Sequence, residues 1–98
     1  MTEKEQLQKA NEDIQRAELA RQVLDNPLFR ESFTLFRDAC MARFRKTKFE
    51  ETSERDEIWR KLQTLDFVEN NLVSLIETGE FARETISLLE RAKKTIGL

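Results

Sequence analysis

Residues 53–79 read SERDEIWRKLQTLDFVENNLVSLIETG, and the periodicity of this stretch decides the fold class. Ile58, Leu62, Leu65, Val68, Leu72, Leu75 and Ile76 recur every three or four places, which puts their side chains on one face of an α-helix. Ser53 stands where an N-cap belongs, and Glu54, Asp56 and Glu57 follow in the first turn, where the positive end of the helix dipole favours carboxylates. Gly79 is the residue type that accepts the left-handed backbone closing a helix. The stretch predicts a helix over 54–78, laced on its outer surface by the i,i+4 pairs Asp56–Arg60 and Glu57–Lys61.

Downstream, Ala82, Ile86, Leu89, Ala92 and Ile96 form a further stripe, with Arg91, Lys93 and Lys94 suited to a negative helix end and Gly97 to its stop, so a helix is expected over 80–96. Upstream, Asp25-Asn26-Pro27 is the sharpest boundary in the chain, since Asn caps helices and Pro is welcome at the first helical position. The helix it opens is expected over 27–46. Its stripe is Phe29, Phe33, Phe36, Cys40 and Phe44, and a second apolar line, Leu28, Leu35, Ala39 and Ala42, lies beside the first. Two apolar lines on one helix suggest a central position. Thr2 and Glu5 fit a capping box, and Leu7, Ala10, Ile14, Ala17 and Leu24 keep a 3–4 spacing, with Arg21 where another apolar residue would fall. Glu5–Lys9 and Glu12–Arg16 are spaced for i,i+4 pairing. A helix over 3–24 follows, thin in apolar residues and in need of a partner surface.

The composition agrees. Among 98 residues there are two glycines and one proline, too little turn punctuation for a many-stranded fold. The expected architecture is a single all-α domain over 1–98, a small bundle of about four helices whose N-terminal helix is partly extended or used in oligomerisation. Seventeen basic and nineteen acidic residues give a net charge of −2, so any attraction for nucleic acid or an anionic membrane has to be local. A single cysteine excludes an intrachain disulfide, and with no apolar leader or spanning segment in view the expectation is a cytoplasmic protein without a membrane partner.

Histidine is absent, which removes the commonest general base, the His-based metal motifs and the Ser–His or Cys–His nucleophiles. Cys40 lies within the phenylalanine stripe and reads as packing. The acidic cluster Glu50, Glu51, Glu54, Asp56 and Glu57 reads as complementing a helix dipole, and no glycine-rich loop offers a phosphate cradle. No catalytic residue, metal ligand or cofactor is assigned, and the chain is expected not to be an enzyme.

Two features point to partners. Between Arg37 and Phe49 the sequence carries one local basic patch, in which Arg43, Arg45, Lys46 and Lys48 are the candidate nucleic-acid contacts. Phe67 faces away from its helix's apolar stripe, and with Leu7 and Ile14 on the sparse first helix it is the candidate protein interface. Glu69 sits within that apolar stripe and needs a counter-charge. Arg43 is the candidate, in a buried pair that would set helix register. Trp59 flanks the stripe as a core-edge residue.

Asp25-Asn26-Pro27-Leu28-Phe29, then Ser53 to Trp59, then Leu72 to Gly79 form an order of features that resembles small all-helical proteins of tailed bacteriophages, encoded near head and DNA-packaging genes. The resemblance covers a little over half the chain. It implies a non-enzymatic, self-associating accessory of particle assembly or DNA packaging, comparable to the small subunit of terminases, located in the host cytoplasm or on the virion and meeting other phage or host proteins. The chain shows no separate helix-turn-helix segment of the kind that reads DNA sequence. A small nucleic-acid-binding or regulatory protein using the patch at 37–48 is the alternative expectation.

Overall fold

A computed structural model describes residues 1–97, and these hold three helices and no strand: α1 (Glu3–Asp25), α2 (Pro27–Lys46) and α3 (Thr52–Thr95). The local signals act as expected at the first two starts. The Thr2 hydroxyl accepts from the Glu5 backbone N–H at 3.2 Å and donates to the Glu5 carboxylate at 3.1 Å. Asn26, held extended ahead of Pro27, accepts from the backbone N–H groups of Leu28 (2.9 Å) and Phe29 (3.1 Å), so one residue both ends α1 and caps α2. The α2 helix stops where Thr47 turns its backbone N–H and its hydroxyl onto the Phe44 carbonyl.

Two boundaries differ from expectation. Helix α3 opens at Thr52 instead of Glu54, because Glu51 accepts the Arg55 backbone N–H on its carbonyl and the Lys48 backbone N–H on its carboxylate. More consequentially, the helices expected over 54–78 and 80–96 are one, running unbroken through Gly79. The seven-residue steps Ile58, Leu65, Leu72, Gly79 and Ile86, each followed three places later by Lys61, Val68, Leu75, Ala82 and Leu89, keep one register across the glycine. The left-handed glycine is Gly97, at φ 77° beyond the end of α3.

Contacts gather in two compact units. The first joins Met1–Val23 to the chain from Leu72 onward, and the second is Leu24–Asn71. In the first, Ala10, Ala17 and Ala20 of α1 and Ala82 of α3 are buried, and Gly79 is buried among them. A Cβ on Gly79 would lie 2.2 Å from the Ala17 Cβ and 3.1 Å from the Asp13 carbonyl oxygen. The two backbones therefore meet at a distance only glycine permits, and dispersion between close main chains offsets the modest apolar area that alanines bury. Arg21, the polar intruder in the first helix's spacing, reaches Glu80 at 3.2 Å and Glu18 at 3.8 Å, and Lys93 pairs with Glu3. Leu7 and Ile14, expected at an interface between chains, are half-buried on the side of α1 that carries Ala10 and Ala17, within this helix pair.

In the second unit α2 packs on the first half of α3. Ile58 is fully enclosed, Leu65 and Cys40 are buried, and Phe29 and Phe33 stack at 4.6 Å between ring centroids with their planes tilted by 36°. The Arg55 guanidinium lies 4.8 Å from the Phe44 ring centroid, close enough for a cation–π contact. The expectation that α2 is central is not met: within this unit it has one helical partner, and its second apolar line stays in solvent, with Leu28 72% and Leu35 62% exposed. No helix among the described residues is long and apolar enough to cross a membrane.

Candidate protein-interaction surface

The surface that a pair of helices cannot cover is the candidate site, and α2 sets most of it. Turning its Phe29–Phe33–Cys40 side onto α3 leaves Phe36 at the seam's edge, half-exposed. There Phe33 and Phe36 meet Lys61, Thr64, Leu65 and Val68 around an open, almost wholly apolar concavity of about 250 Å³. A smaller one of about 180 Å³ lies in the other unit, between Arg16, Leu19, Ala20 and Val23 of α1 and Leu72 and Leu75 of α3. Phe67 is 72% exposed, as its position opposite the apolar stripe requires, and Phe81 and Leu88 are exposed further along α3. Trp59, expected at the core's edge, is instead 60% exposed, since α2 covers only the Ile58 and Leu65 side of α3.

Scattered surface hydrophobes are ordinary, and the large apolar side chains left open here are Leu28, Leu35 and Phe36 on α2 and Trp59, Phe67, Phe81 and Leu88 on α3.

The charged groups are placed differently from expectation. Glu69 has Arg37 as its partner, at 3.3 Å, and not Arg43; the same guanidinium nitrogen also donates to Asp66 at 3.2 Å. Nor is the pair buried, since these three side chains are 44–52% exposed. Arg43 turns instead to Glu54 at the start of α3. That hydrogen bond and the Glu54 charge push the Arg43 guanidinium still further above its ordinary range, so it stays charged throughout. Lys61 bonds Glu57 at 3.1 Å and holds the Glu57 carboxyl below the usual carboxylate range, chiefly through that hydrogen bond. Of the four expected i,i+4 pairs, Glu57–Lys61 forms as an ion pair, while Lys9 pairs with Asp13 in place of Glu5.

The basic patch is thus divided. Arg37 and Arg43 are committed to carboxylates, while Arg45, Lys46 and Lys48 form no ion pair among the described residues. Cys40 is buried, in accord with its place in the phenylalanine stripe. Among the described residues no polar or charged side chain is buried, and no three acidic or thiol side chains are grouped to hold a metal ion. Comparison with protein-family models, with curated proteins and with solved structures finds no match for this chain.

Proposed function

We propose that this protein is a helical interaction module that acts by packing against other helices, copies of itself foremost, and that carries no chemistry of its own. The observation behind this reading is the apolar surface left open on both helix pairs, from Leu28, Leu35 and Phe36 on α2 to Phe67, Phe81 and Leu88 on α3. Exposed apolar surface carries a standing free-energy penalty in water, about 25 cal/mol for each apolar Å², which association relieves. The narrower setting follows from the resemblance of residues 25–79 to helical bacteriophage proteins: an accessory of particle assembly or DNA packaging. Equilibrium sedimentation from micromolar to higher concentration tests the module reading, and a strictly monomeric chain throughout would reject self-association.

A second reading rests on Arg45, Lys46 and Lys48, three cations at and just past the end of α2 that form no ion pair among the described residues. It predicts nucleic-acid binding that weakens steeply between about 50 and 200 mM salt. Undetectable binding at the lower salt removes it.

A further inference from the structure

On α2 the residues facing solvent beside the core stripe are Leu28, Ser32, Leu35, Ala39, Ala42 and Lys46, all exposed. They step by four, three, four, three and four, the spacing of a coiled-coil seam, and this order reads the same from either end. We infer that this seam binds the same seam of a second copy, antiparallel, about a two-fold axis crossing α2 at Arg37. The inference deepens the self-association reading and rests on it.

Two observations single out a second copy as the occupant. The first is steric: antiparallel pairing sets each Leu35 against the partner copy's Ala39 and each Ser32 against its Ala42, large against small, so the helices approach closely without a void. Lys46 then lies over Leu28 with its aliphatic stem on the seam and its ammonium in water. A parallel pairing would instead oppose two Lys46 ammonium groups within the seam.

Charge is the second. Glu31, Asp38 and Arg45 follow one another at seven-residue steps along one flank, and antiparallel pairing brings Glu31 of each copy to Arg45 of the other, twice per dimer. On the opposite flank Phe36 meets its own copy at the axis, which covers a half-exposed ring. Asp38 also meets its copy there, an opposing contact of the small size usual for exposed like charges.

The test is the dissociation constant from equilibrium sedimentation, with circular dichroism to confirm that each variant keeps its helices. Leu35 is largely exposed, so Leu35→Asp leaves the helix pair intact and is expected to weaken association at least 100-fold. Glu31→Arg and Arg45→Glu should each weaken it roughly tenfold, and the double exchange should return it to within about threefold of the parent, a rescue that a non-self partner does not give. If the parent chain associates and Leu35→Asp and the exchanges leave it unchanged, the α2 seam is wrong while self-association stands. A parent chain monomeric at about 100 μM overturns both.

Discussion

Replacing Gly79 by alanine sets two effects of opposite sign against each other. An alanine in a helix interior is favoured over glycine by about 1 kcal/mol, so at an open helix position Gly79→Ala would stabilise the protein. Here the new methyl would arrive 2.2 Å from the Ala17 Cβ, where ordinary contact begins at 3.4 Å, so α1 and α3 must part by more than 1 Å. Neither obstacle can swing aside, since one is an alanine methyl and the other the Asp13 main-chain carbonyl. Separation also loosens the buried contacts of Ala10, Ala20 and Ala82. Overpacking of this kind costs about 1–3 kcal/mol, so with the propensity gain subtracted a net destabilisation of about 1 kcal/mol, reaching about 2 kcal/mol at the upper end, is expected. Urea unfolding followed by circular dichroism at fixed protein concentration measures it. Adding Ala17→Gly to Gly79→Ala removes the opposing methyl and should recover part of the loss, a positive coupling in a double-mutant cycle. A Gly79→Ala protein as stable as the parent, or more so, would refute the close approach.

Asn26→Ala removes the acceptor of two backbone N–H groups and should destabilise by about 1 kcal/mol in the same urea assay, with Asn26→Asp largely neutral. Arg37→Ala should cost less than about 1 kcal/mol despite its two carboxylate partners, because all three side chains are close to half exposed and solvent screens the pairs. The Glu57 carboxyl titrates below its ordinary value in the folded chain, so its stabilising contribution is present above the unfolded-state value and is lost as pH falls through the folded one. Carboxyl chemical shifts followed against pH should show Glu57 returning to the ordinary range in Lys61→Met; an unmoved midpoint there would contradict the assignment of cause. Trp59 fluorescence in the isolated chain should be water-like and readily quenched by acrylamide, and a strongly blue-shifted native spectrum would mean that something covers the ring.

The site is only partly legible in the sequence. Phe67 was visible as an outward aromatic because its angle relative to the Ile58–Leu72 stripe is a local property of one helix. The same holds for the second α2 line, whose Leu28, Leu35, Ala39 and Ala42 were on view in the spacing, although the spacing assigned them to a shared core. What they face depends on how many helices surround α2, and periodicity does not count neighbours. The partner of Glu69 likewise depends on how α2 is aligned along α3: the alignment that sets Arg43 beside Glu54 sets Arg37 beside Asp66 and Glu69.

Helical character, the break at Asn26-Pro27, the loop between Lys46 and Thr52 and the inward side of α2 at Phe29, Phe33, Cys40 and Phe44 all follow from the linear order of residues. Caps, proline and 3–4 spacing act within about one turn of their own position, so no distant contact is needed to interpret them. Gly79 is different. A glycine suits the end of a helix and the point where two helices touch, and its neighbours in sequence are compatible with either. Only the approach of Ala17, far away along the chain, makes it an interior residue and merges two expected helices into one. Packing distance between main chains is a property of the pair of helices, absent from either strand of sequence until both are folded together.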